Sequence, residues 1–336
     1  MQNAAQLDIQ CADTAVSLVD VTKEFVQWQR SGKLKDVLRN LISPEMRVVT
    51  ALDSVSLQIE RGEFVAYAGA NGAGKSTTIK ILAGILQPTS GQVAVLGMNP
   101  AASRVELMRR VGVVFGQRTE LWWDHPVEVS FQWKKAVWDI SDEDYRARFA
   151  MITELLGLSG ILRTFARELS LGQRMRADLG LMLLHNPDVI FLDEPTLGLD
   201  VLAKRQMIDF LKRINREQNT TIVVTSHDMD DLEEMAQRII MLSAGRVAFD
   251  GSWLQLREAA GNLSIVRLTQ QGEVAPEISG ATLLSQDRGV VEYEFDAAVV
   301  PIQTILAQVA QLDGVLDVEL RKAPIEQVVA GLYSRW

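Results

Sequence analysis

Lys75 and Ser76 close an eight-residue run, Gly69-Ala70-Asn71-Gly72-Ala73-Gly74-Lys75-Ser76, that fits the pattern G-x-x-x-x-G-K-S/T. Glycines in such a run let backbone N–H groups turn inward around a phosphate. The lysine reaches the β- and γ-phosphates, and the hydroxyl beside it can ligate Mg2+. Glu63–Ala68 (EFVAYA) reads as a buried strand and Thr77–Ile85 (TTIKILAGI) as a helix. Strand, loop and helix therefore follow in the order this chemistry needs. The helix N-terminus, with Thr77 in its first turn, adds partial positive charge at the phosphates.

A second chemical signal lies at Asp188–Leu192 (DVIFL), a buried strand that runs into Asp193-Glu194-Pro195-Thr196. Two adjacent carboxylates at the end of an apolar strand are costly unless they serve a cation or a reaction. Neighbouring side chains on a strand face opposite ways, so the roles divide. Asp193 is expected in the Mg2+ shell, mainly through water, and Glu194 as general base on the attacking water. Leu169–Gln173 (LSLGQ) places Ser170 as the N-cap of a helix and Gly172 where a phosphate can approach closely. With Gln117 after an apolar run and Thr225-Ser226-His227 further on, five motifs stand in one order. Together they imply ATP hydrolysis.

On these motifs the chain resembles the ATPase subunits of ATP-binding cassette (ABC) transporters, over roughly Ala15 to Gly251. The resemblance implies an α/β fold: a P-loop ATPase domain with an antiparallel β subdomain and a helical subdomain. It also implies two such domains packed head to tail, with each ATP between one phosphate loop and the other signature. Ser170 and Gly172 would then contact the γ-phosphate across the interface, with Gln173 completing the signature. Gln117 would sense Mg2+ and the attacking water, and His227 would hold the γ-phosphate. Asp200 would sit at the dimer interface. Phe25, in Val21-Thr22-Lys23-Glu24-Phe25, is the candidate to stack on adenine. Ala70 stands where proline is common and Leu171 where glycine is common, and neither change removes a ligand. The implied partners are membrane-spanning permease subunits and a second ATPase subunit, either a copy or a paralogue. The implied place is cytoplasmic, peripheral on the inner face of the cell membrane.

The elements around these motifs follow from periodicity. Gln27–Val49 is an insertion in which Leu34, Val37, Leu38, Leu41 and Ile42 form one helical stripe flanked by Arg30, Lys33, Lys35 and Arg39. Such a basic amphipathic helix can cap a domain edge, contact a transport partner, or lie on an anionic membrane. Residues 127–166 read as the helical subdomain, with Trp133 and Trp138 in its core. Trp122 and Trp123 precede it, as an anchor in the groove for a membrane subunit or as internal packing. His185 reads as a structural residue at a helix end. The ATPase domain is expected over residues 1–251, a linker over 252–262 and a small α+β domain over 263–336. In that last domain Val291, Tyr293 and Phe295 mark one half-buried strand and Leu316, Val318 and Leu320 another. Ile302, Ile305, Leu306 and Val309 mark a helix between them, and Pro324–Trp336 is expected as a terminal helix. The Pro324-Ile325-Glu326-Gln327-Val328 pattern resembles the C-terminal extension of drug, antibiotic and polysaccharide exporter ATPases.

Composition narrows the alternatives. The chain has 336 residues, 47% of them hydrophobic, enough for one large and one small core. No apolar stretch approaches the ~20 residues needed to span a bilayer. Met1–Thr14 is polar and lacks the apolar region of a signal peptide. The single cysteine, Cys11, excludes an intrachain disulfide and fits a reducing compartment. A net charge of −9 argues against general nucleic-acid binding. One cassette without sustained heptads or a basic face disfavours a soluble, non-transport ABC ATPase. A small-molecule phosphotransferase would give no reason for the LSLGQ signature. An importer ATPase remains the nearest competitor to an exporter ATPase.

Overall fold

The computed structural model describes residues 13–28, 46–116, 118–259, 262–272, 274–325 and Val329. It divides into two compact units, Met1–Asp250 and Gly251–Trp336. Gln117 and the stripe from Leu34 to Ile42 lie outside the described residues, as does most of the expected terminal helix.

In the first unit, strands β1 (Thr14–Trp28) and β2 (Met46–Glu60) pair antiparallel, and β1 pairs on its other side with β4 (Ser90–Val95). The pairing of β1 with β2 continues to Gln27↔Arg47 and Trp28↔Met46, so the ends of the expected insertion are part of the hairpin. The second sheet has six strands. They are β3 (Phe64–Gly69), β5 (Val111–Phe115), β6 (Val189–Asp193), β7 (Thr221–Thr225), β8 (Arg238–Ser243) and β9 (Arg246–Ser252), in the order β5-β6-β7-β3-β8-β9. From β5 to β8 all pairs are parallel. Every residue of β3 and β7 is buried, the continuous apolar pattern of a strand covered on both faces. Both sheets feed one core, where Leu18, Val21 and Leu52 join Tyr67, Ile79, Phe191 and Val223. Each such buried side chain contributes roughly 1.5–3 kcal/mol.

Five helices of this unit matter for the site: α1 (Lys75–Leu82), α3 (Val127–Val137), α4 (Asp142–Leu155), α5 (Leu171–Leu183) and α6 (Val201–Gln218). The short α2 (Arg104–Met108) and α7 (Met229–Met235) are further helices of this unit. At Gly180 of α5 an added Cβ would lie 2.8 Å from Ile152 and 3.1 Å from Phe131 and Leu158. A glycine there is what lets α3, α4 and α5 close together.

Trp133, expected in that core, is 42% exposed. The buried stripe of α3 is Val127, Ser130, Phe131 and Lys134, the i, i+3, i+4, i+7 face, and Trp133 lies off it. Trp138 is half-buried and stacks on His185 with ring centroids 5.1 Å apart. Trp122 and Trp123 are both exposed, so the arrangement in which both pack internally is not the one observed.

The second unit is a four-stranded antiparallel sheet, order β11-β12-β10-β13. Its strands are β10 (Leu263–Gln270), β11 (Thr282–Asp287), β12 (Val290–Asp296) and β13 (Val315–Lys322). Helix α9 (Ile302–Val309) adds Ile305 and Val309 to a core of Val266, Leu268, Val291, Tyr293 and Phe295. The alternating segments therefore fold as β12 and β13, but only β12 is half-buried: Leu316, Val318 and Leu320 on β13 are exposed. The stretch 252–262, expected as a linker, contains helix α8 (Trp253–Ala259). Trp253 and Leu256, three apart, are its buried face.

Candidate functional site

The parallel sheet brings the chemical motifs together at the carboxyl ends of β3, β7 and β6, which are adjacent in that order. The edge of such a sheet is where ligands of open α/β folds bind. From β3 the chain enters the glycine-rich turn and then α1, whose N-cap is Gly74 at φ 110°. A Cβ on Gly74 would stand 2.5 Å from the Ala51 carbonyl and 2.6 Å from Leu52, so this position is closed to other residues. The same contact ties β2 to the loop. Phe25 sits inside β1 opposite Val49, two residues before Ala51, with the Lys23 ammonium 5.1 Å from its ring.

Lys75 is buried, and its Nζ donates to the carbonyls of Gly69 at 2.7 Å and Ala70 at 3.2 Å. Its pKa is lowered by burial, against the opposing pull of Glu194 and Asp193. Both carboxylates are thus close enough for their charge to be felt at the lysine. Ser76 Oγ donates to Asp193 Oδ1 at 3.2 Å, which unites the two expected Mg2+ ligands. Thr225 Oγ1 donates to the same carboxylate oxygen at 2.7 Å. Behind the loop, Tyr67 Oη donates to Thr78 Oγ1, which donates to the Gly74 carbonyl. Burial raises the Tyr67 pKa, so its donor proton stays in place.

Glu194 follows Asp193 in a left-handed conformation, φ 59°, uncommon for a residue with a side chain. Its backbone N–H donates to Thr225, through Oγ1 and the carbonyl, both at 3.1 Å. The turn aims the carboxylate at His227, whose Nε2 lies 2.6 Å from Oε1. A cavity of about 290 Å³ lies alongside, lined by Ser76, Lys80, Phe115, Arg118, Asp193 and Glu194 among others. Ser76 and Asp193 present hard oxygen donors next to this space, a donor set that fits Mg2+ completed by water and phosphate oxygens. Among the described residues no cluster of three or more His, Cys, Asp or Glu could hold a metal unaided.

The signature segment is separate from this cavity within the chain. Ser170 caps α5 in a capping box: its Oγ accepts from Gln173 N at 3.2 Å, and Gln173 Oε1 accepts from Ser170 N at 2.9 Å. Gln173 takes part in the cap through its backbone N–H and its Oε1. A Cβ on Gly172 would meet only ordinary contacts, Ala203 and Leu199 at 3.6 Å, so nothing within the chain demands a glycine there. Asp200 is exposed and caps α6, its Oδ1 accepting from Ala203 N at 2.8 Å. Beside it Val201 and Leu202 are 84% and 68% exposed.

Two contributors to the site were not assigned from sequence. Thr225 anchors both catalytic-motif carboxylate residues, a contact made across the sheet that only the register Asp193↔Thr225 reveals. Arg118 lines the cavity, and no motif marked it. Half-buried His185 has its pKa lowered to about 4, mainly by burial and then by Lys134, and its Nε2 lies 3.1 Å from the Val111 carbonyl. It is structural, as its sequence context implies.

The family model for "ABC transporter" matches residues 52–197. The chain is 32% identical over 213 residues to the ABC transporter ATP-binding protein NatA of Bacillus subtilis, covering 63% of this chain and 86% of that one. It is 35% identical over 214 residues to the probable multidrug ABC transporter ATP-binding protein YbhF of Escherichia coli, covering 63% of this chain and 36% of that longer protein. Among solved structures it is similar to the ATP-binding cassette MJ0796, in a dimeric post-hydrolysis state bound to ADP and Pi. That likeness has a TM-score of 0.59 at 26% identity, covering 70% of this chain and 98% of the other.

Proposed function

The chain belongs to the family of ABC transporter ATP-binding proteins and is an ATPase of that family, and from that premise we propose that it drives a membrane exporter by closing as a pair around two ATP molecules. The observation behind the chemistry is the convergence of Lys75, Ser76, Asp193, Glu194 and His227 at three adjacent strand ends. Lys75 leaves its two loop carbonyls for the β- and γ-phosphate oxygens, where its charge is neutralised far better. Glu194, fixed by its turn and by His227, takes the proton of the attacking water. His227 then holds the γ-phosphate. Ser76 and Asp193 would hold Mg2+, which when bound supplies charge stabilisation across the phosphates. Gln117 is assigned to the same water and cation.

Pairing is supported by what one chain leaves unfinished. Ser170 and Gly172 stand at a helix N-terminus that faces no phosphate of its own chain, and Val201 and Leu202 expose apolar surface beside Asp200. A second ATPase subunit would cover both. No helix among the described residues is long and apolar enough to cross a membrane. The membrane-spanning part is therefore assigned to separate permease chains, with this chain peripheral on the cytoplasmic face. Export is favoured over import by similarity to the YbhF protein, whose name includes "multidrug", and by the Pro324–Val328 pattern.

The test is recovery of tagged Glu194→Gln from mild-detergent extract in the presence of ATP, with the co-purifying chains identified by mass spectrometry. Multi-spanning membrane proteins are expected. Recovery of soluble proteins or ribosomes alone would overturn the transporter assignment and leave the ATPase chemistry standing.

A further inference from the structure

Asp178 is a carboxylate that the phosphate chemistry does not use, on α5 about two turns beyond Ser170. It is only 6% exposed, and burial raises its pKa to about 6. Its Oδ1 accepts two hydrogen bonds, from Thr119 Oγ1 at 2.8 Å and from the Glu120 backbone N–H at 2.9 Å. Both donors belong to the segment that lines the cavity through Gly116 and Arg118.

That segment is pinned at both ends. At its start Gly116 N–H donates to the Asp193 carbonyl at 2.8 Å, on the strand that carries the catalytic carboxylates. Its far end is tied to helices. Besides the two bonds to Asp178 on α5, Lys134 Nζ lies 2.5 Å from Glu120 Oε2, and Trp122 N–H donates to Ser130 Oγ at 2.9 Å. Lys134 and Ser130 are on the buried face of α3. Residues 118–122 are therefore a strap onto the helices, and Asp178 is its fastening on the helix that begins at Ser170.

We infer that Asp178 is a positioning residue for ATP turnover: by holding Thr119 and Glu120 on α5, it makes the Arg118 wall of the cavity and the Ser170 cap move as one body. The inference rests on the reading that ATP is turned over beside Ser76 and Asp193. A closing subunit that engages Ser170 then also draws the strap, and Arg118 with it, into place at the cavity. Without the fastening the helix can close while the cavity wall lags behind.

The test is steady-state ATP hydrolysis by the full chain, with active sites counted by nucleotide titration and folding followed by thermal melting. Asp178→Ala should lower kcat per site about tenfold while KM for ATP stays within about twofold, because the phosphate loop is untouched. Asp178→Asn keeps an acceptor oxygen and should restore most of kcat. Should Asp178→Ala not fold, Thr119 decides: Thr119→Val should lower kcat and Thr119→Ser, which keeps the hydroxyl, should not. Wild-type kcat in folded Asp178→Ala, or equal kcat in Thr119→Val and Thr119→Ser, would overturn the inference. So would a loss of kcat in Asp178→Ala that Asp178→Asn shares in full. The site reading fails separately, if Glu194→Gln turns over ATP as fast as wild type.

Discussion

Charged residues are arranged in opposite ways in the two units. On the sheet of the C-terminal unit Arg267, Glu292, Glu319 and Arg321 answer one another across strands: Arg321 is 3.0 Å from Glu292, and Arg267 lies between Glu292 and Glu319 at 3.9 and 3.7 Å. Each of these four charges has an opposite charge beside it. At the ends of β3, β6 and β7 the carboxylates of Asp193 and Glu194 are held by two hydroxyls, a histidine and their own turn, and they face a cavity. Lys75, which feels their charge, is bound to carbonyls instead. Charge that is mutually satisfied stabilises a sheet, whereas charge held in place but left uncompensated is available to a ligand.

Substitutions should separate the two arrangements. Lys75→Ala should reduce ATP hydrolysis by at least about 100-fold and weaken nucleotide binding, measured by turnover and by titration with a fluorescent ATP analogue. Normal hydrolysis would mean that the uncompensated lysine is not there for phosphate.

His185 gives a smaller, pH-dependent effect. Its folded pKa, about 4, is below the ordinary histidine value near 6.5, so the unfolded chain binds the proton more readily. Its contribution is fully present above about pH 6.5 and is lost as pH falls towards 4, with an upper bound on the order of 3 kcal/mol. His185→Gln should flatten that part of the stability-versus-pH curve, as read by denaturant melts. An unchanged slope would contradict the assignment.

The smallest effect is expected on the satisfied side. Glu292→Gln should cost less than about 1 kcal/mol, because its partners Arg267 and Arg321 are substantially exposed, and ATP hydrolysis should not change. A large loss of hydrolysis would remove the distinction between the two arrangements.

How much of this was readable before folding depends on the range of the interaction. The phosphate loop, the Asp193-Glu194 pair and the Ser170 cap are local patterns, and the sequence already contained strand, turn and helix in the right order. The contacts of Thr225 with Asp193 and of Asp178 with Thr119 join residues far apart in the chain, and no local period announces them. Trp133 was misjudged because residue type was weighed above the i, i+3, i+4 face on which Phe131 and Lys134 lie. Helix α8 within the segment 252–262 was not legible, because a two-turn helix has only Trp253 and Leu256 to bury. In β12 and β13 the strict alternation made the strands plain, yet β10, at the centre of the same sheet between them, was not anticipated.

The most direct test of the central claim, that Glu194 is the base held by its turn and His227 next to the phosphate loop, is single-site ATP turnover by Glu194→Gln with ATP binding measured on the same sample. The amide keeps the shape of the carboxylate but cannot take up a proton at neutral pH, so ATP should bind as in wild type while hydrolysis falls by at least about 100-fold. Binding with near-wild-type turnover would show that the proton goes elsewhere and would contradict the account.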